Sequence, residues 1–269
     1  MKSPMEFKGR WLLVTGASSG LGQEMAIQLA RQHGANLILV ARRAERLQEL
    51  KRQLEQEAGI RCHVIAADLA QPEDVDRVYA EANAVGPVYG VILNAGVTHF
   101  GEHLALDWAA FQAMLATNVT SVVRLVHLFM PDLIRRREGG GVMIISSMAG
   151  LLPVPYQSAY AGTKAFVTNF AQSLYQELRE QNVSITVFSP GGIDTAMTHN
   201  SNLKFFENTP FLQDVESCAS DALKAMRARD PLYVPGRLNQ AQLLFTRFVP
   251  RKVVGFIAQN AYRKALGST

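Results

Sequence analysis

The sequence has little that would staple or anchor a chain from outside. It carries two cysteines in 269 residues, Cys62 and Cys218, far apart and without metal-type spacing. That excludes a disulfide framework and a cysteine-built metal site, and it predicts two reduced core thiols and no bound metal. No run of about 18 apolar residues stands out, the length that a bilayer-spanning helix requires, so no spanning segment is expected. The first ten residues are polar and lead into Trp11-Leu-Leu-Val14. That apolar stretch is too short for a signal peptide, and the reading is a cytoplasmic protein. Acids are missing altogether after Asp230, where Arg237, Arg247, Arg251, Lys252, Arg263 and Lys264 all lie. Setting those six aside from the 27 basic residues leaves fewer bases than the 23 acids, so a slightly acidic body carries a basic tail over residues 237–269. No nucleic-acid motif accompanies this charge. The tail reads either as a solvated helix face or as a contact for an anionic partner, a membrane surface included.

What is present suits a globular protein: 48% hydrophobic and 19% charged residues, with enough chain to bury a sizeable core. Short apolar runs alternate with helix-like segments. Trp11, Leu12, Leu13, Val14 and Thr15 form the first run. Residues 21–33 repeat Leu21, Met25 and Leu29 at helical spacing, with Gly34 at the end. Residues 36–41, 61–67, 88–93, 142–146 and 183–189 read as further strands. Residues 44–58 and 158–180 read as helices. Residues 107–137 are helical in pattern, and Pro131 is expected to kink or split them. Alternation of this kind predicts an α/β, doubly wound parallel sheet with helices on both faces, in one domain over 1–269. Ligands then sit beyond the C-terminal ends of the strands.

The chemistry-bearing motifs all fall at such ends. The first strand runs into Thr15-Gly-Ala-Ser-Ser-Gly-Leu-Gly22. Gly16, Gly20 and Gly22, placed between a strand and a helix, let the backbone approach a pyrophosphate at a helix N-terminus, and Ser18 and Ser19 can add hydroxyl donors beside Leu21. The second strand ends Val40-Ala41-Arg42-Arg43, where an NAD site would place an acid. Two guanidiniums there favour a 2′-phosphate and predict NADP(H), with Arg42 ahead of Arg43 as the contact. Tyr160 and Lys164 are four residues apart, on one helix face. A cation beside a phenol lowers its pKa from about 10 towards the range where it works as a general acid–base. Ser146 and Ser147 end the strand before it. Asn94-Ala95-Gly96 ends an earlier one, and Asn118 lies in the long helical stretch. Ser189-Pro-Gly-Gly-Ile-Asp-Thr195 follows a later strand.

In this order the motifs resemble the short-chain dehydrogenase/reductase family, over about residues 10–195. The resemblance implies a single Rossmann-type domain of about seven strands, with Leu232-Tyr-Val234 as the last. It implies a catalytic tetrad of Asn118, Ser147, Tyr160 and Lys164. Tyr160 would be the acid–base, Lys164 would lower its pKa and hold the nicotinamide ribose, Ser147 would orient the substrate oxygen, and Asn118 would position a water. It further implies Asp68 and Leu69 at the adenine, Asn94, Ala95 and Gly96 on the adenosine side, and Pro190, Gly191, Ile193 and Thr195 near the nicotinamide, with Thr195 at the carboxamide. Homodimers or homotetramers through the helices bearing Asn118 and Tyr160 are implied as well. Residues 196–213, with Phe205, Phe206, Pro210 and Phe211, would form a lid. Together with the apolar stretch over 151–156 it points to a hydrophobic ketone or secondary alcohol as the small-molecule substrate. An NADP(H) sensor without turnover is the alternative, and the intact tetrad argues against it.

Overall fold

The computed structural model describes residues 3–195, 212–246 and 248–266. Seven parallel strands form the central sheet: β1 (Trp11–Thr15), β2 (Asn36–Ala41), β3 (Cys62–Ala66), β4 (Val88–Leu93), β5 (Gly141–Ile145), β6 (Ser184–Phe188) and β9 (Leu232–Tyr233). Their order across the sheet is β3-β2-β1-β4-β5-β6-β9. The reversal between β1 and β4 opens the crevice in which such sheets take their ligands. A two-stranded parallel ribbon, β7 (Gly192–Ile193) with β8 (Leu212–Gln213), lies beyond β6.

Helices cover both faces because the strands are apolar on both. β1, β4, β5 and β6 are buried along their whole length. Alternate side chains of one strand enter different cores, as a period of two requires. Leu12 and Val14 pack with Leu21, Met25 and Leu29 of α1 (Gly20–Arg31), with Leu47, Leu50 and Leu54 of α2 (Ala44–Ala58), and with Leu223 and Met226 of α7 (Val215–Ala228). Leu13 instead joins Val75 and Val78 of α3 (Pro72–Val85), Leu125 and Phe129 of α5 (Ser121–Arg136), and Val167 of α6 (Ser158–Glu177). Two last helices, α8 (Arg237–Thr246) and α9 (Arg251–Leu266), follow β9.

The long helical stretch departs from expectation. Its interruption falls at residues Ala116–Thr120, a π-turn between α4 (Trp108–Leu115) and α5, and α5 continues past Pro131 without being split. A π-turn inserts one residue into the helix and re-aims the side chains around it. Here it turns Asn118 inward, to 1% exposure, whereas a polar residue on a regular helix could equally have faced solvent. The stretch also corrects the expectation about membrane length. Trp108–Arg136 spans 29 residues and contains an 18-residue window with a mean hydropathy of 1.4, long and apolar enough by composition to cross a bilayer. Its apolar face, however, is spent on the sheet, where Leu125, Val126, Phe129 and Leu133 are buried. Two further helices, α3 and α7, occupy segments for which the sequence pattern set no element.

Leu13 is fully buried at the centre of the sheet. Leu13→Ala should lower stability by about 2–5 kcal/mol. In urea unfolding the midpoint should fall while the slope stays unchanged.

Candidate active site

After β1 the chain turns through Gly16 at φ +68° and Gly20 at φ +55°, a left-handed backbone that glycine adopts without strain. Gly22 is small for another reason: a Cβ there would strike Asn94 Nδ2 and the Gly16 carbonyl oxygen. Thr15 ties this turn to the next. Its hydroxyl accepts from the Asn94 N–H at 2.9 Å and the Ala95 N–H at 3.0 Å, and Asn94 Nδ2 donates to Thr15 O at 3.0 Å. Ser19 precedes α1 without its side chain capping the helix. The N-terminus therefore presents its dipole and first N–H groups at the glycine turn, a suitable cradle for a phosphate.

Arg43 reaches this cradle. Its guanidinium donates to Ser18 Oγ at 2.9 Å and to Ser19 Oγ at 2.7 Å. Burial, followed by the charges of Arg46 and Arg42, lowers its pKa. A guanidinium stays charged all the same, so these three arginines form a cation cluster in want of an anion. Arg42 stands exposed beside it. Of the two predicted residues, Arg43 is thus the one that touches the loop. Asp68 lies just past β3, where its carboxylate accepts from the Ala70 N–H at 3.1 Å and its own N–H donates to Asp74 at 2.7 Å. Leu69 is buried next to it.

The tetrad residues converge from three elements. Ser147 follows β5; its hydroxyl accepts from the Ala149 N–H at 3.1 Å and stands beside the Tyr160 phenol, whose pKa it lowers. Lys164 Nζ sits 5.7 Å from the Tyr160 ring centre and donates to Ile145 O at 2.8 Å. Asn118 Oδ1 accepts from the Val97 N–H at 2.9 Å, while its Nδ2 donates to Val97 O at 2.8 Å and Thr163 Oγ1 at 3.1 Å. Gly96 fits between them: a Cβ there would lie 3.3 Å from Asn118 Oδ1 and 3.5 Å from Lys164 Nζ. The two serines separate cleanly. Ser146 is buried, donating to Lys164 O at 3.1 Å with Thr168 Oγ1 at 2.6 Å, so it bolts α6 to β5.

The far wall comes from the chain after β6. Pro190 O accepts from the Met148 N–H at 2.8 Å. A Cβ at Gly191 would lie 2.8 Å from Asn239 Nδ2, and one at Gly20 would lie 3.4 Å from Thr195 Cγ2. Ile193, in β7, packs on the core. The glycine turn and the segment after β6 therefore face one another. Most of the proposed lid, residues 196–211 with its phenylalanines, lies outside the described residues. Thr15, Thr163, Thr168 and Asn239 take part without having been singled out in the sequence. Thr15 could have been found from its place before Gly16. For the other three, no local signal exists.

A model of the family described as short chain dehydrogenase matches residues 10–204. The chain belongs to the short-chain dehydrogenase family. It is 33% identical over 197 residues to the 17-beta-hydroxysteroid dehydrogenase type 3 of Rattus norvegicus, a match covering 72% of this chain and 63% of that protein. The chain thus spans under two thirds of that relative's length. A second relative is the 3-oxoacyl (acyl-carrier-protein) reductase FabG of Aggregatibacter actinomycetemcomitans, 32% identical over 244 residues, 90% of this chain and 96% of that one. Among solved structures, a short-chain dehydrogenase from Sphingobium yanoikuyae in complex with NADPH superposes with a TM-score of 0.79 at 26% identity, covering 90% of this chain and 96% of that one.

The short-chain dehydrogenase site carries a buried cation at a cost. Burial lowers Lys164 from its ordinary 10.5 to about 8. Below that value the lysine is charged in both folded and unfolded chains, and the folded form bears the cost of desolvating it. Between about 8 and 10.5 the folded form sheds its proton while the unfolded form keeps it, so stability rises with pH. Lys164→Met should remove that rise, worth roughly 3 kcal/mol, when urea unfolding at pH about 7 is compared with pH about 10.

Proposed function

We propose that the protein is an NADP(H)-dependent oxidoreductase that interconverts a hydrophobic ketone and its secondary alcohol, with Tyr160 as the acid–base. The observation carrying this reading is the meeting of Tyr160 with Ser147 and Lys164 at the strand ends that also carry the glycine turn. When bound, the dinucleotide would supply the hydride acceptor or donor. The residues fit it. The glycine turn with Ser18, Ser19, Leu21 and the α1 N-terminus would take the pyrophosphate, and Arg43 with Arg42 the 2′-phosphate. Asp68, Leu69 and the Asn94-Ala95-Gly96 turn would flank the adenosine. Pro190, Gly191, Ile193 and Thr195 would line the nicotinamide end, and Lys164 would reach the ribose with the protons not given to Ile145 O.

The chain's own residues then handle the proton. In reduction, the Tyr160 hydroxyl would give its proton to the substrate's carbonyl oxygen. In oxidation, the phenolate takes the proton back from the alcohol. Ser147 Oγ, beside the same phenol, would hold the substrate oxygen within reach. Asn118, fixed between Val97 and Thr163, would position the water that returns the proton to solvent. Burial raises the Tyr160 pKa and the Ser147 hydrogen bond opposes the rise. Burial thus outweighs the lowering expected from the Lys164 cation, and the phenol stands above its ordinary value.

Two further features support finer points. Leu151, Leu152 and Val154 are half-buried beside Tyr156 on the approach to Tyr160, which suits an apolar substrate. A shallow groove of about 410 Å³ between α5 and α6, with Val119, Val123 and a half-exposed Phe166, is the face we assign to a homodimer or homotetramer.

The test follows reduced nicotinamide absorbance across ketones of increasing chain length and ring content. NADPH should support turnover, and Tyr160→Phe should lower kcat roughly a hundredfold to ten-thousandfold. Ser147→Ala should move the rising, low-pH limb of alcohol oxidation to higher pH, because it removes the interaction that opposes burial. Arg43→Ala should raise the KM for NADPH roughly tenfold to a hundredfold and leave NADH unaffected. Tight NADPH binding without turnover of any ketone would instead return the sensor reading.

A further inference from the structure

Exposed apolar side chains are concentrated at the end of the chain. Of the eleven large hydrophobic residues exposed among the described residues, seven lie between Leu238 and Ile257. Phe245 is 64% exposed, Phe248 81%, Phe256 64% and Ile257 58%. A globular body does not need so many uncovered aromatics in one short segment, and patches of this kind mark a contact surface.

Their arrangement on α9 is ordered. Val253, Phe256 and Ile257 sit at i, i+3 and i+4 and are all exposed, so they share one face of the helix. Lys252, Gln259 and Arg263 sit at i, i+7 and i+11 and are exposed too. That spacing sets them in one polar row along the flank of the apolar stripe. Tyr262 lies on the opposite side. Its ring centre is 5.6 Å from Phe100, which is 6.4 Å from Tyr156, four residues before Tyr160. Burial raises the Tyr262 pKa. Helix α9 is therefore fastened to the aromatic wall near the candidate active site, with its apolar stripe turned away.

Charge selects the occupant. Six cations and no acid follow Asp230 in the sequence, so the segment carries a single sign, unlike the body. A stripe of phenylalanine, isoleucine and valine edged by lysine and arginine is the make-up of a helix that lies in a lipid interface, apolar side among the acyl chains and cations at the headgroups. A second copy of this chain would bring the same positive charge to the contact and is disfavoured on that account.

We propose that α8 and α9 dock on an anionic membrane surface through Phe245, Phe248, Val253, Phe256 and Ile257, with Lys252 and Arg263 at the headgroups. Docked in this way, the Tyr262–Phe100–Tyr156 wall faces the bilayer side of the molecule. An apolar ketone dissolved in the membrane would then have a short route to Tyr160; that consequence, unlike the docking, rests on the function proposed above.

Flotation of the full-length protein with vesicles tests the docking without any need for turnover. The protein should rise with mixed phosphatidylcholine–phosphatidylserine vesicles at low salt, and stay behind with pure phosphatidylcholine or at high salt. Lys252→Glu with Arg263→Glu should weaken binding by roughly fivefold or more per charge, with circular dichroism and NADPH binding unchanged. In an otherwise binding-competent protein, Phe256→Trp should give an indole emission quenched by brominated lipid. Absence of flotation with anionic vesicles at low salt overturns the proposal. So does equal flotation of the charge-reversed variant, or an unquenched indole. A Phe256→Gln variant that changes oligomeric state while the parent ignores vesicles would assign the stripe to a second copy instead.

Discussion

The site depends on a charged lysine held where water cannot reach it. Lys164 is 5% exposed, and an ammonium in such a place is costly unless its protons find acceptors. One goes to Ile145 O, the last residue of β5. The rest of the local architecture serves that bond. Ser146, the next residue, donates back to the Lys164 carbonyl and meets Thr168 one helical turn on. Gly150 lets the short turn after β5 close on the helix: a Cβ there would lie 2.7 Å from the Lys164 carbonyl carbon. These three contacts fix α6 against the end of β5 in a single register. Once that register is set, Tyr160 is one turn earlier on the same helix, and Ser147, pointing the other way from Ser146, meets its phenol. Two adjacent serines thus differ in role: Ser146 locks the frame and Ser147 faces the Tyr160 phenol.

The π-turn at Ala116–Thr120 is the second half of the same device. It brings a carboxamide into the space between the turn after β4 and α6. Asn118 then satisfies both backbone groups of Val97 and a hydroxyl of α6. A buried carboxamide has several polar atoms to satisfy, and leaving them unmade is costly. Here its fixed partners come from two segments, the turn after β4 and the helix of Tyr160, and tie both to the π-turn that carries it. The same turn after β4 is stitched to β1 through Asn94 and Thr15. The glycine turn and the tetrad are consequently parts of one hydrogen-bonded frame.

The parallel sheet was readable because its strands are short, uniformly apolar and regularly spaced, and the glycine turn because conformation restricts it to glycine at φ +68° and +55°. That Tyr160, Lys164 and Ser147 lie together was readable from spacing and family resemblance. Other features left no local trace. A π-turn and a regular helix have the same apolar content, so nothing marked residues 116–120 as the break, whereas Pro131 carried a stop signal that packing overrode. The preference between Arg42 and Arg43 depends on which side chain bends back over the loop, and adjacent residues of one type cannot reveal that. Helices α3 and α7 are amphipathic but lie between motifs that drew the reading elsewhere.

The two sides of Tyr160 are built on different principles, and this explains why the reaction class is legible and the substrate is not. On the glycine-turn side, backbone groups, short hydroxyls and glycines do the positioning, and each is constrained enough to appear as a motif. On the other side the wall is aromatic: Phe100, Tyr156 and Tyr262 come from separate parts of the chain and meet only in space. Tyr156 is held there at φ +64°, a left-handed conformation that costs a side-chain-bearing residue about 1–2 kcal/mol. Its carbonyl accepts from the Gly101 N–H at 2.8 Å, which offsets part of that cost and joins the segment before α6 to the loop bearing Phe100. Strain of this kind persists only where surrounding contacts over-determine it. The aromatic wall is therefore a built feature beside α6. Apolar faces packed by shape tolerate many sequences, whereas a phosphate cradle tolerates few.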